Sequence, residues 1–216
     1  MKRIFELSQN LQNLNQIKRQ GGNLVLGLPD LMNISVAEHS YAVTYLAMFF
    51  IDSLKGKTNL NTEKILRFCL THDWAEMIIG DIPSGSPSFA SFWDINIKDE
   101  TKKAGNKAFQ KILDFISEEI DLAPYKFDFT DQERLLIKSA DLTAYLIEMQ
   151  EWKYLGFRHD GWEMIWFNTL NLLEKIDLPY IPDLVKEIKE TYQKNSKRPS
   201  PFLAQAQKQS NPQHQL

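Results

Sequence analysis

The chain has 216 residues, 43% hydrophobic and 25% charged, a globular balance in a length that suits one domain with a sizeable core. A net charge of -3 and a pI of about 5.8 offer no basic surplus for a nucleic-acid partner. The single cysteine, Cys69, excludes an intramolecular disulfide and a structural zinc site built from several thiolates.

The opening stretch MKRIFELSQNLQNLNQIKR lacks the apolar run of a secretory leader. The longest apolar run, AVTYLAMFFI, is about half a membrane span. A cytoplasmic protein with no membrane partner is therefore expected. Apolar residues at Ile4, Leu7, Leu11, Leu14 and Ile17 predict a first amphipathic helix over 4–18, ended by Gly21-Gly22. Ser35-Val-Ala-Glu38 is a capping box that opens a second helix running to about Leu54. Asn61 caps a third, with Ile65, Leu66, Cys69 and Leu70 on it and His72-Asp73 at its end. A short helix from Trp74 to Ile79 stops at Gly80.

The run DIPSGSPSFASFWD reads as a long loop, and its Phe89, Phe92 and Trp93 suit either the core or stacking on a base. A further helix covers 98–120. Thr130-Asp-Gln-Glu133 is a second capping box, opening a helix to about Tyr154. Helices over 161–176 and 181–193 complete the set. The aromatic stretch EWKYLGFRHDGWEMIWF reads as core or subunit interface, and its His159-Asp160 pair as a loop feature without a metal role. The domain is expected to span 1–195, followed by a polar, mobile tail over 196–216. The fold class predicted is all-α.

Four polar residues interrupt apolar faces. His39 shares a helical face with Val43, Leu46 and Phe50, and Asp141 lies among Ile137, Leu142, Ala144 and Tyr145. His72 and Asp73 end an apolar helix. Singly, each has an ordinary reading as a hydrogen-bonded core residue, a salt-bridge partner of Arg134 or Lys138, or a helix-end group. Together, two imidazoles and two carboxylates make a mixed nitrogen and oxygen donor set that suits manganese, cobalt, iron, nickel or zinc. A divalent ion in such a set lowers the pKa of water and polarises a phosphoryl oxygen.

These residues resemble the H…HD…D pattern of HD-domain metal-dependent phosphohydrolases. SVAEHSYAV is similar to the family's first-ligand helix, HDWAEMIIGDIP to the HD-x-x-E-x-x-x-x-D-hydrophobic-Pro run of its 5′-deoxynucleotidase branch, and IKSADLTAYL to the last-ligand helix. The resemblance spans roughly residues 5 to 176. It implies an all-α HD-domain bundle and a phosphomonoesterase acting on (deoxy)nucleoside 5′-monophosphates. It also implies one divalent ion (Mn, Co, Fe, Ni, Zn or Mg), a small phosphorylated substrate and a homodimer. His39, His72, Asp73 and Asp141 match the metal ligands. Glu76 matches the carboxylate that handles the water and the proton, and Asp81 the acid beside the substrate. Glu76 also stands four residues after His72, and on one continuous helix the two would face the same side. For Asp81 a turn role after Gly80 is the other reading. Lys138, three residues before Asp141, suits phosphate contact or balance of Asp141.

The departure lies before His39. The branch carries an arginine and a tryptophan there, but gapless alignment from His39 puts Gly22 and Val25 among the residues at those positions. Arg19, the only arginine nearby, enters the site only if the loop shifts, and reads otherwise as an exposed helix-end cation. That departure leaves open another phosphorylated substrate, a nucleoside triphosphate or signalling nucleotide, and a non-catalytic metal- or ligand-binding module.

Overall fold

A computed structural model describes residues 1–20, 27–29, 33–54, 58–82, 97–157 and 160–194. Helices α1 (Lys2–Leu11), α2 (Val36–Ser53), α3 (Thr62–Thr71) and α4 (Glu76–Ile79) form the first half. Helices α5 (Ile97–Ile116), α6 (Asp131–Tyr154), α7 (Asp160–Glu174) and α8 (Ile181–Gln193) form the second, and 3-10 turns occupy Gln12–Asn15 and Ala123–Tyr125. Among the described residues the chain is helical, with one isolated antiparallel bridge between Lys18 and Ser35. No described helix is long and apolar enough to cross a membrane.

Both capping boxes form as the sequence requires. Ser35 accepts a hydrogen bond from the Glu38 amide while Glu38 reaches back to Ser35 N, and Thr130 and Glu133 do the same for α6. Glu133 does more than cap. Its buried carboxylate also accepts from Asn61 N at 3.0 Å and pairs with Lys64 Nζ at 2.8 Å, tying the start of α3 to the start of α6. Asn61 caps α3 through the Lys64 amide.

The main core lies where α2, α3 and α6 meet, and continues under α7 and α8. Leu136, Leu146, Met149 and Trp152 of α6 are essentially inaccessible. Each such side chain contributes about 1.5–3 kcal/mol of apolar burial. The aromatic stretch supplies core: Trp152, Trp162 and Trp166 are buried, and Trp166 stacks on Tyr192 with centroids 3.9 Å apart. A smaller cluster of Leu7, Ile112 and Ile116, with Trp74 and Met77 against it, seats α1 and α4 on α5.

Two expected helices are shorter than predicted. The helix over 98–120 ends at Ile116 and continues as turns. The first helix stops at Leu11 and tightens into a 3-10 turn. Its Asn and Gln side chains compete for local partners, Asn10 with the Glu6 carbonyl and Asn15 with the Gln12 side chain. Beyond it the backbone extends. Val36 N donates to Ile17 O at 2.9 Å and Arg19 N to Ile34 O at 3.1 Å, strapping residues 17–19 along the entry to α2. Gly21-Gly22, the loop aromatics Phe89, Phe92 and Trp93, His159 and the 196–216 tail lie outside the described residues.

Candidate metal centre

His39 enters the bundle on the first turn and a half of α2 and is 1% exposed. Its Nδ1 donates to Glu148 Oε1 at 2.7 Å, and its Nε2 stands 3.4 Å from Asp141 Oδ1. His72 is the C-cap of α3, and its Nδ1 lies 2.8 Å from the Cys69 carbonyl oxygen. A carbonyl can only accept, so Nδ1 donates to it, and Nε2 is the ring atom left to face the site. That Nε2 is 3.1 Å from Asp73 Oδ2. Ligand atoms of His39, His72 and Asp73 all lie within 4.8 Å of one another. Asp141 joins the group through His39. Three stretches distant in the chain thus bring two imidazoles and two carboxylates together, a donor set that fits a borderline divalent ion.

The fields around these groups are strong. Burial opposes charge on His39, but its hydrogen bonds to Asp141 and Glu148 outweigh that and push its pKa up to about 9. Burial likewise opposes ionised Asp141, yet His39 and Lys138 hold it well below the usual carboxylate range. Asp73 is also held low, because the charges of His72, Arg19 and His39 outweigh its burial. Glu76 goes the other way. Burial, then the neighbouring Asp73 and Asp81 carboxylates, push it up to about 9. Its Oε2 is buried and accepts no hydrogen bond. A tight turn through Asp73 and Trp74 separates α3 from α4, so His72 and Glu76 stand on either side of it rather than on one helix. The turn still leaves Glu76 in the electrostatic field of Asp73.

Of the two readings left open for Arg19, the structure favours a place beside the site over an exposed helix end. The early end of α1 and the strap along Ile34 carry it inward, where Nη1 lies 3.8 Å from Asp73 Oδ2 and its side chain is 22% exposed. Asn33 donates its amide to the Arg19 carbonyl. Asp81 follows Gly80, whose φ of 74° ends α4, and its carboxylate accepts from Gln20 N at 2.6 Å. Asp81 therefore serves as a turn residue and as the tether of the arginine strap. Lys138 is half exposed and balances Asp141 at 2.7 Å. A cavity of about 300 Å³ adjoins the group, and its wall carries His72 and Asp141 with the cations Arg134 and Lys138.

A profile of YfbR-like 5′-deoxynucleotidases matches residues 6–192, which includes all of these groups. The chain belongs to the YfbR-like 5′-deoxynucleotidase family. It is similar to a 5′-deoxynucleotidase of Pectobacterium atrosepticum, 33% identical over 125 residues that cover 54% of this chain and 60% of that protein. A 5′-deoxynucleotidase of an Enterobacter species is 35% identical over 124 residues, again covering 54% and 60%. The chain thus spans about 60% of the length of the curated relatives it matches. Among solved structures, a conserved hypothetical protein of Pyrococcus furiosus superposes with a TM-score of 0.64 at 26% identity, over 86% of this chain and 99% of that one. A cyanophage S-2L HD phosphohydrolase superposes with a TM-score of 0.52 at 16% identity, over 86% of this chain and 96% of that one, which shares the fold. The all-α HD bundle expected from the sequence is the fold observed.

One residue beside these groups escapes the sequence reading altogether: Glu148, buried against His39. Its signal was present. Glu148 stands seven residues after Asp141, two helical turns along the same face, inside the apolar run AYLIEM.

Proposed function

We propose that the protein is a metal-dependent phosphomonoesterase that removes phosphate from deoxynucleoside 5′-monophosphates. The observation that carries the reading is the convergence of His39, His72, Asp73 and Asp141 with Arg19 and Glu76 beside them. Family membership supports the substrate class. The cyanophage relative, described as bound to dA and one catalytic Zn2+ ion, supports a deoxynucleoside ligand and a single ion.

His39, His72, Asp73 and Asp141 would hold the ion. When bound, the ion supplies Lewis acidity that polarises a phosphoryl oxygen and acidifies a water. Arg19 presents a guanidinium beside Asp73, the geometry that suits two phosphate oxygens at once. Glu76, held protonated by its surroundings in the metal-free chain, is poised to take a proton from the water once cationic charge is added, and to return it to the leaving oxygen. Asp81 keeps the arginine strap in place through Gln20 N. Arg19 beside Asp73 supports a phosphate contact from the segment before α2, where the sequence lacks the branch's arginine.

Residues 1–195 would form this catalytic unit as a cytoplasmic homodimer, with 196–216 as a tail outside it. Exposed Tyr41 and Phe49 on the outer side of α2 support pairing of two copies. A substrate panel with added Mn2+ or Co2+ tests the function. Inorganic phosphate released from deoxynucleoside monophosphates is expected. Release of tripolyphosphate or pyrophosphate from triphosphates, or no turnover with any divalent ion, would contradict it.

A further inference from the structure

Glu148 is the buried carboxylate to which the mechanism above gives no task. It is 7% exposed on α6. Oε1 accepts the hydrogen bond from His39 Nδ1 at 2.7 Å, and Oε2 is buried without a hydrogen-bond partner. A half-satisfied carboxylate at that depth is costly unless cationic or polarised groups face it. The His39 imidazole faces it, and the positive charge of Arg19 is favoured by Glu148 as well as by Asp73.

We infer that Glu148 is a positioning residue: its Oε1 fixes His39 with the proton on Nδ1 and Nε2 turned to the ion. The inference rests on the metal-site reading above. A carboxylate that accepts the second N–H of a ligating imidazole fixes the tautomer and raises the ligand's basicity, and losing it costs about 10- to 100-fold in metal affinity. Metal affinity should therefore fall when Glu148 is removed, although its carboxylate does not touch the ion.

The test uses the full chain loaded with Zn2+, a diamagnetic probe. Long-range 1H–15N spectra of histidine-labelled protein read which ring nitrogen of His39 carries the proton, and Nδ1 is expected in the wild type. Glu148→Ala should lower Zn2+ affinity, measured by chelator competition, by about 10- to 100-fold. Glu148→Gln keeps the volume and a carbonyl acceptor, which guards against misfolding. It should recover part of the Zn2+ affinity. A wild-type His39 protonated at Nε2, or Zn2+ affinity unchanged in Glu148→Ala, overturns the inference while the hydrolase reading stands. A wild type that binds no ion at His39 overturns both.

Discussion

Glu76→Gln should make the protein more stable and less active at once. The wild-type carboxyl has a folded-state pKa of about 9 against an ordinary 4.5, raised by burial and by Asp73 and Asp81. A carboxyl raised in this way costs no stability below about pH 4.5. The cost grows as pH climbs towards 9, because the unfolded chain sheds its proton while the folded one keeps it. At pH 7.5 the ceiling is about 4 kcal/mol, at about 1.4 kcal/mol per pH unit. Partial solvent access and relaxation around the site reduce this to about 1–2 kcal/mol. Glutamine keeps the shape, sheds the charge and offers a donor to the carboxylates beside it. Calorimetry of metal-free protein should therefore show a Tm higher by about 2–8 °C at pH 7.5 and unchanged near pH 4.5. Phosphate release with Mn2+ should fall by about 10²- to 10⁴-fold, the usual contribution of a general base. A variant that melts lower at pH 7.5, or one that keeps wild-type turnover, refutes the reasoning.

Four other outcomes are expected. His39 is pushed up to about 9 in the metal-free chain, so an ion that takes its Nε2 lone pair must displace a proton at pH 7.5. Calorimetric binding heats should then vary with the buffer's ionisation enthalpy, and identical heats in Tris and PIPES would contradict this. Because the folded pKa of His39 is raised, its pairing with Asp141 and Glu148 stabilises fully below about pH 6.5 and is lost through about pH 9. Chelated protein should accordingly melt lower as pH rises across that window. Arg19→Ala should raise KM about 10- to 100-fold with a smaller change in kcat, and Arg19→Lys should recover little because a point charge cannot engage two oxygens. Thr130→Ala removes one half of the α6 capping box and should cost about 0.5–2 kcal/mol in urea unfolding, with activity per folded molecule unchanged.

The parts of the fold legible in the sequence were those fixed by local chemistry. Ser35 and Thr130 announced the starts of α2 and α6 because their hydroxyls, with Glu38 and Glu133 three positions on, satisfy amides that nothing else reaches. His39 and Asp141 stood out because polar atoms on apolar faces require partners. The misreadings came from non-local geometry. Spacing of Leu7, Leu11 and Leu14 continued a helical period through a segment whose amides turn the backbone into a 3-10 turn, and the period could not register that turn. Arg19 kept two readings for the same reason: its route inward depends on the bonds Val36 N to Ile17 O and Arg19 N to Ile34 O, and on Asp81, 61 positions along the chain from Gln20. Glu148 resembled any helical glutamate until His39 was seen against it.

Crystals soaked in Zn2+ and measured at the zinc absorption edge would test the metal centre most directly. The account predicts one anomalous peak about 2.0–2.2 Å from His39 Nε2, His72 Nε2 and one oxygen each of Asp73 and Asp141. A peak held elsewhere, or one that leaves His39 and Asp141 uncoordinated, would contradict it.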